Sequence, residues 1–339
     1  MHVTLKIQRY NPETDERRME SHTVDVVETA TLLDVLDVIK DEVDGSLSYR
    51  KSCRMAVCGS CGMRMDGAAV LACKTPMRPL AETGHVPVIS PMGNLPVLKD
   101  LVVDMDPFWE KFRAIKPYLD EGDAEPPVKE WRVQQEELDR IMTEALCIQC
   151  GCCVSECQSM ESDPDFLGPA ALAKAARFVY DVRDRGGKQR LEIYNGAHGV
   201  WDCTRCYFCN QRCPKGVHPR DAIAKVGAAI YQEGMHSDGG ARHAKVFVKS
   251  THQTGYLLET NLVPETVGAI NAIKDIPFAL KLARAGKVPN PLRPHKAKKL
   301  DEVRKLHKLI ESQEQEARKA ATAGPRRPDD EQGQAKDSQ

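Results

Sequence analysis

The chain opens on a strict alternation. Val3, Leu5 and Ile7 are apolar while Thr4, Lys6 and Gln8 are polar, the period of a half-buried strand. Val24 and Val26 repeat the pattern in a second strand. Thr31, followed three residues later by Asp34, is a helix N-cap signature, and Leu32, Leu36, Ile39 and Val43 fall on one stripe of the helix it opens. Beyond a glycine-bearing loop from Ser52 to Gly62, Asp66–Gly67 predicts the tight turn of a short hairpin. Pro91, Gly93, Pro96 and Pro107 punctuate residues 91–107, which read as a connector.

The pattern then turns helical. Residues 131–146 contain few breakers, Pro169 opens an alanine-rich stretch reaching Val182, and Pro219 opens another that runs to Gln232 and stops at Gly234. Further on, residues 264–274 and 277–285 predict short helices opened by prolines, with Gly286 closing the second, and Gly239–Gly240 reads as a turn. Residues 293–299 form a basic, solvated face. Residues 313–339, rich in Ala, Gln, Arg and Asp and without aromatics, predict a disordered tail. The divisions expected are an α+β unit over 1–100, a helical domain over 101–237, a helical extension over 238–312 and the tail over 313–339.

Length and charge narrow the function classes. A chain of 339 residues has room for two domains and more. Lys plus Arg number 48 and Asp plus Glu 49, a balance that gives no reason to expect nucleic acid as a partner. No run of 18 apolar residues predicts a bilayer span, and MHVTLKIQRY lacks the apolar core of a secretory signal. The expected location is the cytoplasmic side of the cell membrane, peripheral and reached through partner subunits. The chain has no nucleophile triad, P-loop or dinucleotide fingerprint.

Thirteen cysteines change the picture, because they fall into three groups: Cys53 to Cys73, Cys147 to Cys157 and Cys203 to Cys213. Reduced cytosolic thiols gathered this tightly imply metal sites rather than disulfides. Cys53-x4-Cys58-x2-Cys61, followed by Cys73, has the plant-type spacing of a 2Fe–2S cluster. Gly59 and Gly62 let the loop backbone approach the sulfurs, and Arg54 is a cation beside them. A structural zinc site is the alternative for four cysteines. Cys147-x2-Cys150-x2-Cys153-x3-Cys157 and Cys203-x2-Cys206-x2-Cys209-x3-Cys213-Pro214 both match the bacterial ferredoxin run, in which the fourth cysteine of each run serves the other cluster. One cubane is therefore expected on Cys147, Cys150, Cys153 and Cys213, and the other on Cys157, Cys203, Cys206 and Cys209. Cys152 is left as a spectator thiol. Trp201 and Phe208 are expected to shield the third cluster from water, and His198 and His218 to be ordinary loop histidines.

The stretches from Ser52 to Gly62, from Cys147 to Cys153 and from Cys213 to Val217 resemble the signatures of the iron–sulfur subunits of succinate dehydrogenase and fumarate reductase. The resemblance covers residues 1–235. It implies an α+β architecture with an N-terminal β-grasp 2Fe–2S ferredoxin domain and an all-α helical ferredoxin domain. It also implies a partner flavoprotein that holds FAD and the substrate pocket, and a membrane acceptor such as a quinone. No catalytic residue is expected on this chain.

Two features depart from that pattern. Family members commonly hold a 3Fe–4S third cluster on the cysteines matching Cys157, Cys203 and Cys209, with an apolar residue where this chain has Cys206. A thiolate there predicts a second 4Fe–4S cluster instead. Quinone-reducing members also carry Pro and Trp after the cysteine matching Cys157, where this chain reads Gln158-Ser-Met-Glu-Ser-Asp163. Cys206 and the stretch 240–248 are similar to members whose partner resembles a heterodisulfide reductase subunit rather than a haem-bearing membrane anchor. The rival readings are a ferredoxin-like subunit of a thiol- or heterodisulfide-linked reductase and a zinc-binding structural or interaction protein.

Overall fold

The computed structural model describes residues 1–122, 130–235, 238–287 and 295–323. They fall into two compact units. The first comprises Met1–Tyr118, Leu138–Phe178 and Cys203–Ala224, and it contains every cysteine of the chain. The second comprises the described residues of Leu119–Glu137, Val179–Asp202 and Lys225–Gln339.

In the first unit, strands β1 (His2–Asn11), β2 (Glu16–Asp25), β3 (Gly62–Met65), β4 (Ala68–Leu71) and β5 (Val88–Ser90) form one sheet in the order β2-β1-β5-β3-β4. β1 runs antiparallel to β2 and parallel to β5, pairing Lys6 with Val88 and Ile7 with Ile89. The hairpin β3–β4 turns at Asp66 and Gly67, with φ of 51° and 75°. Positive φ at both central residues gives the turn whose twist matches the flanking strands.

The alternation of β1 sends Val3, Leu5 and Ile7 into the core, where the latter two are fully buried beside Leu32, Leu36, Met63 and Ile89. The same register places Arg9 on the buried face, 3% exposed. Its guanidinium is satisfied there by Asp100 at 3.0 Å, by Glu20 and Asp44 at 2.5 Å each, and by the Ser46 hydroxyl at 2.8 Å. Asp100 in turn accepts from the backbone N–H groups of Tyr10 and Ser48, so this charge network ties four separate segments together.

The helix Leu32–Val38 carries a full capping box. The Asp34 N–H donates to the Thr31 hydroxyl, and the Thr31 N–H donates to the Asp34 carboxylate. Val43 leaves the predicted stripe and is 57% exposed. Residues Ile39–Val43 wind as a π-helical turn, which rotates the register that an α-helix would have kept.

The helices Gln135–Ala145 and Pro219–Gln232 fall within the predicted segments, the latter opening on its proline, and Gly168–Val179 begins one residue before Pro169. In the second unit, Gly239–Gly240 does not make a turn but opens the helix Gly239–Thr254, capped by Asp238, whose side chain accepts from the Gly240 N–H at 2.7 Å. Pro264 does not start a helix; it lies inside Glu259–Val267, within its first two turns. Pro277 does sit at the start of Ile276–Arg284. The helix Leu300–Ala323 extends eleven residues into the stretch expected to be a disordered tail, carried by Glu, Lys, Arg and Ala, all good helix formers, as far as the residues before Pro325. The remainder of that tail and part of the basic stretch 293–299 lie outside the described residues. Among the described residues, no helix is long and apolar enough to cross a membrane.

Candidate functional site

The first group of cysteines sits on a loop wound by left-handed residues. Arg54, Ala56 and Gly59 have φ of 59°, 56° and 74°. This winding turns backbone N–H groups inward as an anion-binding concavity. Met55, Val57 and Cys58 donate to Cys53 Sγ at 3.4, 3.3 and 3.3 Å, and Ala56 donates to Cys73 Sγ at 3.3 Å. Donors aimed at sulfur stabilise thiolate, the form a metal needs.

The four thiols span two environments. Cys58 is exposed, and the Ser60 hydroxyl 3.0 Å away leads the interactions that pull it down to about 6. Cys61 is 3% exposed at the end of the loop, and burial pushes it up to about 12. Arg54, expected beside the sulfurs, pairs with Asp37 at 2.5 Å.

The second and third runs fold as two copies of one loop. In the first copy Gln149 and Gly151, on either side of Cys150, have φ of 58° and 78°. In the second copy Arg205 and Tyr207, on either side of Cys206, have φ of 58° and 68°. Each loop ends at the N-terminus of a short helix, Cys152–Ser155 after Gly151 and Phe208–Arg212 after Tyr207. The conformation that points Cys150 inward is therefore repeated at Cys206.

These loops close two hollows. One is lined by Cys147, Cys150, Cys153 and Cys213, with Ile148, Ala170, Ala173 and Val217 around them. The other is lined by Cys157, Cys203, Cys206 and Cys209, with Phe166, Pro169, Tyr207 and Arg220. Each hollow gathers three cysteines of one run and one of the other, the crossed arrangement read from the spacing. The walls are mostly apolar, and burial pushes Cys147, Cys157 and Cys203 up, Cys209 up to about 12 and Cys153 well up. Neutral thiols there are the form burial favours, and a bound cation would reverse that preference. Val217 donates its N–H to Cys213 Sγ at 3.3 Å. Four sulfurs around each small enclosed space, with a backbone donor on Cys213, fit an iron–sulfur cluster in donor chemistry.

Several residues around these sites carried no legible signal in the sequence. Cys152 is more than a neighbour: it is fully buried within the same core as Leu5 and Ile7. The interaction between the two thiols is the leading cause that pulls Cys150 down to about 7 and holds the Cys152 thiol itself far up. Gly59 meets the Cys150 backbone so closely that a Cβ there would lie 2.7 Å from Cys150 Cα. Lys215 donates to the Ala56 carbonyl at 3.3 Å and Lys74 to the Pro214 carbonyl at 3.1 Å, joining the first loop to the end of the third run.

A latch holds the helix Cys152–Ser155 from the other side. Arg64 Nε donates to Glu156 at 2.7 Å and Arg64 Nη2 to the Ser155 carbonyl at 2.5 Å. The Gly93 N–H reaches the Ser155 hydroxyl at 2.9 Å, and the Asn94 amide reaches the carbonyls of Val154 and Cys157 at 2.8 and 2.9 Å. The aromatic lining of the hollow with Cys157, Cys203, Cys206 and Cys209 is Phe166 and Tyr207; Phe208 is 38% exposed, and Trp201 packs on Gly227 and Gly240.

Comparison with known proteins places these loops in a family. Residues 4–110 match the model of a 2Fe-2S iron-sulfur cluster binding domain, and residues 145–217 that of a 4Fe-4S dicluster domain. The chain is 41% identical over 233 residues to the fumarate reductase iron-sulfur subunit of Haemophilus influenzae, covering 65% of this chain and 90% of the relative. It is 36% identical over 292 residues to the 8-methylmenaquinol:fumarate reductase iron-sulfur subunit of Wolinella succinogenes, covering 84% and 90%. The succinate dehydrogenase iron-sulfur subunit of Coxiella burnetii is 36% identical over 68% of this chain and 98% of its own. Among solved structures, a chain of the Mycobacterium smegmatis Sdh1 complex in the apo form superposes with a TM-score of 0.63 at 25% identity, over 70% of this chain and 98% of that one. Cysteine loops with sulfur-directed N–H groups, two iron–sulfur domain matches and relatives spanned almost end to end lead to one conclusion: the chain belongs to the family of iron–sulfur subunits of fumarate reductase and succinate dehydrogenase, the electron-transfer part of those oxidoreductase complexes.

Proposed function

We propose that the chain carries three clusters between a flavoprotein and a membrane acceptor: 2Fe–2S on Cys53, Cys58, Cys61 and Cys73; 4Fe–4S on Cys147, Cys150, Cys153 and Cys213; and a second 4Fe–4S on Cys157, Cys203, Cys206 and Cys209. The clusters supply one-electron carriers when bound. The chain's own residues hold the cysteines, set N–H donors against the sulfurs, and keep water from the two enclosed cages.

The observation that supports the third assignment is the repeated loop, in which Cys206 has the same left-handed flanks as Cys150 and lines its hollow with the other three thiols. A loop holding only three ligands has no need to turn a fourth sulfur inward. Acid-labile sulfide and iron analysis tests it: the wild-type holoprotein should carry about ten irons per chain, and Cys206→Ala should lose one. Equal iron in the two proteins refutes the assignment.

The flavoprotein partner, with FAD and the dicarboxylate pocket, follows from the family. The membrane-side partner is either the usual anchor or a heterodisulfide-reductase-like subunit, with quinone as the terminal acceptor in the first case. Absence of the Pro–Trp pair after Cys157 favours the second. Affinity purification of the tagged full chain from its own membranes tests both pairings, by FAD in the flavoprotein band and by the identity of the co-purifying membrane-side subunit. Recovery of a haem-bearing anchor overturns the second pairing.

A further inference from the structure

We propose that Arg220 is a positioning and tuning residue for the cage of Cys157, Cys203, Cys206 and Cys209, clamping the Cys206 loop through Tyr207 and presenting a charged N–H to the sulfur-lined hollow. This rests on the reading of that cage as a cluster site. Tyr207 is the starting point. At the matching position of the other loop stands Gly151, which adopts a left-handed conformation without steric cost, whereas Tyr207 holds φ of 68° with a full side chain. Something has to stabilise it there. The Arg220 guanidinium lies over its ring, 4.4 Å from the centroid.

Arg220 is itself anchored. Its backbone N–H donates to Asn210 Oδ1 at 2.8 Å, the Asn210 amide donates to Asp221 at 2.8 Å, and Arg220 Nη1 donates to the other Asp221 oxygen at 3.0 Å. This ring of bonds spans the helices Phe208–Arg212 and Pro219–Gln232, which bracket the cage. Asp221 occupies Nη1 and leaves Nε. That atom is buried, meets no hydrogen-bond acceptor among the protein atoms, and belongs to a residue lining the same hollow as Cys157, Cys203, Cys206 and Cys209. A buried charged donor without an acceptor is costly, and cluster-bound sulfur is the acceptor this hollow is built to hold. A cationic N–H at a cluster sulfur favours the more negative, reduced state and raises the potential.

The test uses the full-length holoprotein in its complex, as wild type, Arg220→Gln and Arg220→Lys. Iron content and an EPR-monitored redox titration are read together, with the second cluster in the same sample as internal reference. Arg220→Gln is expected to keep its iron while the third cluster becomes about tenfold harder to reduce relative to the second, ~59 mV for a one-electron couple. Arg220→Lys, which keeps the charge and loses the guanidinium fork, is expected to shift by less. An unchanged midpoint in Arg220→Gln overturns the proposal. If Arg220→Gln loses third-cluster iron, Arg220→Lys decides: a lowered midpoint with iron retained supports tuning, while a wild-type midpoint or a second loss overturns it. Nuclearity is read separately from the wild-type iron count and line shape, so a 3Fe–4S cluster there would defeat the four-ligand reading and leave the midpoint comparison intact.

Discussion

Gly59 is where the loop of the first site touches the loop of the second, and it offers a controlled perturbation. Its φ is 74°, and an added Cβ would lie 2.7 Å from both Cα and Cβ of Cys150. Gly67, in the hairpin turn, has φ of 75° with nothing within 4 Å of the same added atom. Gly59→Ala and Gly67→Ala therefore share one cost, a left-handed alanine at about 1–2 kcal/mol, and differ only in the clash. Ordinary carbon contacts begin near 3.4 Å, so the two loops must separate by roughly 0.7 Å, an overpacking cost of about 1–3 kcal/mol. Gly59→Ala should thus be the less stable of the two by that second amount. Urea unfolding of the holoprotein, followed both by far-ultraviolet circular dichroism and by bleaching of the visible absorbance, measures it. The bleaching midpoint should fall further than the backbone midpoint in Gly59→Ala alone. Equal midpoints for the two variants would refute the claim that these loops are in backbone contact.

Arg9→Met should cost about 3–5 kcal/mol in urea denaturation, because it leaves Asp100, 2% exposed, as an uncompensated buried charge. The same network sets an acid limit. The Ser46 hydroxyl and then Arg9 hold Asp44 well below its usual range, while Arg18 and Arg9 outweigh burial to lower Glu20. Both carboxylates have folded pKa values below their unfolded ones, so their stabilisation is complete above about pH 4–5 and is lost as pH falls through the folded values. The urea midpoint should drop on going from pH 6 to pH 3, and drop less steeply in Arg9→Met. Asn94→Ala removes the donor to the carbonyl of Val154, in the helix that carries Cys153, and to that of Cys157 just beyond it, and should cost about 1–3 kcal/mol; faster loss of visible absorbance to an iron chelator checks it.

The parts of this protein legible in its sequence are those governed by short-range rules. Cysteine spacing specifies how tightly a loop must wind, and the alternation at Val3, Leu5 and Ile7 specifies which face of β1 is buried. The capping pair Thr31–Asp34 and the Asp66–Gly67 turn are likewise local and both formed as read. Misreadings arose where a local rule met a competing one. The π-helical turn at Ile39–Val43 rotated Val43 outward, and strong helix formers carried Leu300–Ala323 past the expected boundary. Arg64 and Ser155 stand 91 residues apart, and nothing near either one announces the other. The same holds for Gly59 against Cys150 and for Arg220 against Tyr207, contacts that depend on how the loops are brought together.

The most direct test of the three-cluster assignment is low-temperature EPR of the anaerobically purified holoprotein, as isolated and after dithionite reduction, with the iron counted on the same sample. Three clusters on these twelve cysteines predict about ten irons per chain, no nearly isotropic signal in the oxidised protein, and signals from a 2Fe–2S and two 4Fe–4S centres on reduction. A strong, nearly isotropic oxidised signal with about nine irons would mean a 3Fe–4S third cluster, and would contradict Cys206 as its fourth ligand.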